Sequence, residues 1–139
     1  MLGGCHGNWG DERLLAELNT LAADRVTLAV VRRPDAPSRV VSADLVDEFL
    51  GRARSLQGAT SIGQVSTWKY YCQVEIQTRG DDPLLISIAT RESLQGVPIA
   101  ILEDKVNDNR RIGFYVGGAL YAWLEKQGIC AQHAGDLSG

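Results

Sequence analysis

Histidine is nearly missing from this chain. Of 139 residues only two are His, at positions 6 and 133. Both fall close to a terminus, so a Ser-His-Asp or Cys-His arrangement, which needs an imidazole held beside a nucleophile, has no well-placed base. Cysteine is also sparse. Cys5, Cys72 and Cys130 are far apart in sequence, and with the two histidines they do not show the four-ligand spacing of a structural zinc site. No apolar run approaches the roughly 18–20 residues of a membrane-spanning helix. No G-x-G-x-x-G or G-x-x-x-x-G-K-[ST] frame is present. Lysine is scarce at 3 against 11 arginines, and the net charge of −3 argues against nucleic acid as a partner. No cofactor is expected and no enzyme activity is read.

What is present is ordinary for one globular domain: 45% hydrophobic and 22% charged residues. Residues 11–24 read as a first helix, with Leu14, Leu15, Leu18 and Leu21 on one face and Asn8 or Asp11 as its cap. Residues 25–33 read as a strand from their β-branched content, and Pro34 and Pro37 then end regular structure. Residues 42–56 read as a second helix. Ser42 is its N-cap, the stripe Leu45, Val46, Phe49, Leu50, Ala53 its buried face, and Gly58 its terminator.

From position 60 the period changes to two. Tyr70, Cys72, Val74 and Ile76 alternate with Tyr71, Gln73, Glu75 and Gln77, an apolar set against a more polar one, as in an antiparallel strand with one wet face. Turns at 80–83 and 95–96 bracket a strand at 84–90. Residues 97–102 are apolar on both faces, with Pro98 expected at the strand start or at a bulge. Residues 103–111 read as a polar loop, 112–115 as a short last strand and 116–127 as a third helix closed by Gly128. Trp123 lies mid-stripe on that helix. Residues 129–139 read as a loose tail.

The expected fold is α+β. An antiparallel sheet of about four to five strands carries helices on one face, the strand at 26–31 lies at an edge, and the domain covers residues 11–128.

Few residues point to chemistry. Asp104, Asn107, Asp108 and Asn109 lack the order of a calcium loop and read as a solvated turn. Arg32-Arg33 reads as a solvated strand end. Gly117-Gly118 reads as a close approach of helix to sheet rather than a phosphate site. Trp68 and Tyr71 beside Lys69 form the candidate binding surface, since aromatic faces stack on sugars, peptides and bases.

At the N-terminus Leu2-Gly3-Gly4-Cys5 resembles a bacterial lipobox. The resemblance implies export and a diacylglycerol on the Cys5 sulfur, at a cleavage site normally preceded by a basic and an apolar segment. The expected function is then a non-catalytic, extracytoplasmic, lipid-anchored domain that binds a protein or envelope component. It would touch the membrane only through Cys5. The alternative is a cytoplasmic interaction or regulatory domain in which residues 1–10 are a flexible segment and Cys5 is incidental. Cys72 and Cys130 are expected to stay unpaired, the first as an inert thiol on the apolar face of its strand.

Overall fold

The computed structural model describes residues 9–63 and 67–137. The lipobox-like motif with Cys5, and His6, lie outside the described residues.

Among the described residues six antiparallel strands form one sheet, and three α-helices accompany it. The chain order is α1 (Glu12–Thr20), β1 (Val26–Arg33), β2 (Ala36–Val40), α2 (Ala43–Ala53), β3 (Lys69–Thr78), β4 (Leu84–Thr90), β5 (Ile99–Val106), β6 (Asn109–Val116) and α3 (Gly118–Lys126). The strand order is β2-β1-β3-β4-β5-β6. The α+β class holds, with more strands than the sequence suggested.

Two strand regions depart from the expectation set by the sequence. Pro37 does not end regular structure, because it sits in β2, an edge strand where a missing N–H costs no ladder bond. β1 is therefore internal, paired with β2 on one side and β3 on the other. The polar stretch at 103–111 is not a loop but the ends of two strands joined by a two-residue turn, with Val106 opposite Asn109. Asn107 and Asp108 both take positive φ, 52° and 64°. That turn twists with the strands it joins, and Asn and Asp tolerate its left-handed backbone.

The helices bury their stripes against one face. Leu14 and Leu18 of α1, Val46, Phe49 and Leu50 of α2, and Leu120, Trp123 and Leu124 of α3 meet Val74, Ile76, Ile86, Ile88 and Leu102 of the sheet. The Asp11 side chain caps α1 by accepting from the Arg13 amide at 2.9 Å. Tyr115, fully buried, ties that same cap to β6: its hydroxyl accepts from the Asp11 amide at 2.8 Å and donates to the Asp11 carbonyl at 2.6 Å. Gly113 makes room for this contact, since a Cβ there would lie 2.5 Å from the Tyr115 hydroxyl. Gly117 lets the start of α3 approach β5, where a Cβ would meet the Ala100 amide nitrogen at 2.7 Å. α2 stops at Ala53, before Gly58, which instead bridges to Tyr115 at the outer edge of β6.

The stretch after α3 is not loose. Gly128, at φ +73°, turns the chain back. Its amide donates to Glu125 and the Ile129 amide donates to Leu124, the paired bonds of a glycine-ended helix. Residues 129–131 are buried. They run beside β3, with the Ala131 amide bonded to the Tyr71 carbonyl, and Tyr70 and Gly135 exchange two further backbone bonds. This return brings the Cα of Cys130 to 4.8 Å from that of Cys72, and the two form a disulfide across 58 positions. The expectation of two unpaired thiols is corrected. The glycine-ended turn aims the returning chain at β3 and makes the contact, in place of the inert buried thiol expected at Cys72.

Candidate binding surface

Beyond the helices, the sheet has a second face. The strand registers define which side chains share it. Val40 of β2 lies opposite Val30 of β1, Val30 opposite Glu75, Glu75 opposite Leu85, Leu85 opposite Glu103, and Glu103 opposite Ile112. The next row runs through Arg32, Gln73, Ser87, Ile101 and Phe114. None of the three helices packs on these rows.

The polar members are knitted together. Arg32 donates to Glu75 at 3.0 Å and to Gln73 at 3.4 Å, Gln73 donates to the Ser87 hydroxyl at 3.0 Å, and Gln77 donates to Glu75. The Gln77 amide, helped by the Arg32 guanidinium and opposed by partial burial, lowers the Glu75 carboxyl below its ordinary value. Glu103 and Arg110 pair on the far strands. Aliphatic groups flank this ladder. Val40 is 63% exposed on one side, and Ile112 and Val116 are 38% and 57% exposed on the other. The side chains of this polar centre are therefore held in place by one another, with exposed aliphatic groups at the rim.

One end of this face is roofed. Ile62, Trp68 and Leu94 cover a small second core made by Ala89, Ile99 and Ile101, with Tyr70 and Phe114 packed against it. Trp68 stacks on Phe114 with ring centroids 5.8 Å apart, and the Arg91 guanidinium lies 3.8 Å from the Trp68 ring centroid. Burial raises the Tyr70 phenol above its usual value, with the Glu103 carboxylate adding to the effect.

The three residues singled out from the sequence do not share one surface. β3 carries a bulge at Tyr71: Tyr70 pairs with Ala89 and Cys72 with Ile88, leaving Tyr71 unmatched between them. The extra residue reverses the alternation, so Tyr70 belongs to the helix-free face and Tyr71 to the helix side. There Tyr71 is buried, packs on Tyr121 with centroids 4.3 Å apart, and donates to the Gly96 carbonyl at 3.1 Å. Lys69 is exposed and pairs with Asp136 at 2.9 Å. Trp68 is half-buried in the roof. Strict alternation could not reveal the hydrogen-bonded ladder of Arg32, Gln73, Glu75 and Ser87, because it reads merely as a wet strand face until the strand order is known.

A separate cleft of about 380 Å³ opens at one end of the sheet, between the end of α1 and the β3–β4 and β5–β6 turns. Ile76 and Leu84 line it with Glu17, Arg25, Asp81 and Asp82. The two-pronged pair of Arg111 with Asp104, at 2.8 and 2.6 Å, forms part of its wall. That carboxylate holds the Arg111 guanidinium above its ordinary pKa. Among the described residues, no three His, Cys, Asp or Glu side chains come together as a metal site, and no helix is long and apolar enough to cross a membrane. His133 is exposed on the segment after α3.

No family model, no curated protein and no solved structure matches this chain.

Proposed function

We propose that this chain is a non-catalytic binding domain that works outside the cytoplasm, tethered to a membrane by lipid on Cys5, and that it engages a protein or other envelope component with the helix-free face of its sheet. The observation that carries this reading is the Cys72–Cys130 disulfide, with both residues at most 3% exposed. Such bonds form and persist in oxidising compartments and are rare where the cell keeps thiols reduced. Pairing these two leaves Cys5 as the remaining cysteine of the chain. Lipid on its sulfur would both anchor the protein and remove a reactive thiol.

The binding face is supported by its composition. A sheet with helices on both sides buries apolar groups on both. Here the second side presents a hydrogen-bonded polar ladder rimmed by exposed Val40, Ile112 and Val116. Six strands at about 4.8 Å spacing give a surface roughly 24 Å wide, a scale suited to a protein contact.

The test uses protein taken from its own host without reductant. Alkylation followed by mass spectrometry should find Cys72 and Cys130 blocked until a reductant is added, and a mature N-terminal peptide that begins with diacylglyceryl Cys5. An unmodified peptide spanning Gly4-Cys5, with Cys72 and Cys130 both alkylated, refutes the reading in favour of a cytoplasmic domain. For the face itself, photocrosslinking residues placed at Ile112 and Gln73 should capture the partner, whereas one at Asp47, exposed on α2, should not. Capture from Asp47 alone would move the interface to the helices.

A further inference from the structure

Two arginines converge on one carbonyl. Arg33, at the end of β1, donates from Nη1 to the Gly128 carbonyl at 2.7 Å, and Arg39 of β2 donates from Nη2 to the same oxygen at 2.8 Å. Their two nitrogens therefore lie no more than about 5.5 Å apart. Asp35 pairs with Arg33 through Nε at 3.2 Å and is itself 58% exposed. It is the one carboxylate among the described residues that pairs with either guanidinium, so the cluster keeps a net positive charge.

End-capping of α3 does not account for the pair. The glycine-ended turn already satisfies the carbonyls of Leu124 and Glu125 through the Ile129 and Gly128 amides, and the Gly128 carbonyl lies past the helix. One arginine would suffice for it. Holding a second cation against the same neutral oxygen brings like charges together, an arrangement that an anion relieves. Each guanidinium has five N–H donors in a planar fork matched to tetrahedral oxyanions. Arg33 uses Nη1 and Nε in its protein contacts and Arg39 uses Nη2, so each retains further donors.

We propose that Arg33 and Arg39 form a binding site for a phosphate-type oxyanion, with the Gly128 carbonyl fixing the spacing of the two forks. The site lies on the helix side of the β1–β2 hairpin, distinct from the helix-free sheet face, and stands whether or not Cys5 carries lipid. Asp35 is the group an incoming phosphate displaces. The phosphate could belong to a free anion or to a lipid headgroup, and the two sources are separable.

The experiment titrates the full chain with inorganic phosphate at constant ionic strength, chloride serving as the balancing anion, and follows the arginine Nε–Hε and Ile129 amide resonances. A second arm measures co-sedimentation of the unlipidated chain with phosphatidylglycerol vesicles against phosphatidylcholine vesicles. Wild type should show saturable shifts with phosphate or selective retention on the anionic vesicles. Arg39→Gln, an exposed position whose fold is checked by its melting curve, should weaken whichever response is seen by at least about tenfold, the loss of a charge-assisted fork. Arg39→Lys should restore the response in part, because an ammonium keeps the charge without the fork. A response to phosphate assigns a free anion, and a response to vesicles alone assigns a headgroup. Equal responses in wild type and Arg39→Gln, or no response in either arm, overturn the proposal.

Discussion

Removing the Cys72–Cys130 bond is the perturbation with the largest effect that can be worked from the structure. The two cysteines are 58 positions apart, so the bond closes a long loop in the unfolded chain. The chain-entropy relation assigns such a loop about 4 kcal/mol near room temperature. In the native state Cys→Ala leaves no unpaired polar atom, and the small cavity left by two buried sulfurs adds to the loss. The variant for the assay is Cys72→Ala/Cys130→Ala in a Cys5→Ala background, compared with Cys5→Ala alone so that no third thiol can reshuffle. Urea unfolding should lose about 4 kcal/mol, within the 2–5 kcal/mol range for native disulfides. With a slope of about 1–3 kcal/mol per molar urea, the midpoint should fall by roughly 1.3–4 M. The slope itself should rise, since the unlinked chain exposes more surface when unfolded. Amide exchange should quicken first at Ala131 and Gly135, whose backbone bonds tie the last segment to β3. A loss below about 1 kcal/mol with unchanged slope would refute the reasoning, because the loop term of the bond would then be missing.

Three further outcomes follow from individual contacts. Trp123 is 8% exposed in the helix-side core, with the Arg52 guanidinium 4.9 Å from its ring centroid. Trp123→Ala should cost about 3–5 kcal/mol in denaturant melts, and a change under about 1 kcal/mol would show that the ring is not a core group. Tyr115→Phe strips the hydroxyl that serves both backbone groups of Asp11. It should cost about 1–3 kcal/mol through the unpaired amide and carbonyl, with faster amide exchange at the start of α1; exchange unchanged there would place the anchor elsewhere. Acid should weaken the fold in a defined window. The Arg13 side chain holds the Asp11 carboxyl below its ordinary value, as Gln77 and Arg32 do for Glu75. A carboxyl lowered in the folded state contributes stability that is complete above its unfolded pKa and is lost as pH falls through the folded value. Stability should thus hold near neutrality and decline below about pH 4, and Glu75→Gln should shallow that decline. An acid limb identical in wild type and Glu75→Gln would refute the assignment.

Period and punctuation in the sequence determine much of the architecture. Leucines at helical spacing after Asp11, the stripe behind Ser42, and the alternation through 72–77 each place an element, because burying one face of a helix or strand demands that period. The α+β class and the helix-covered sheet follow from the order of those elements. Four features were decided only by tertiary structure. β2 has almost no apolar pattern, and it exists because β1 offers an edge on which its backbone can pair. The bulge at Tyr71 exchanged the faces of two tyrosines, so one candidate site residue became core, and no local signal announces an extra residue in a ladder. The disulfide and the arginine pair on Gly128 join positions 58 to 95 residues apart. Such contacts depend on where the chain returns in space. Short-range propensity reports the shape of a segment, while pairing, register and convergence are set by the partners that the fold brings to it.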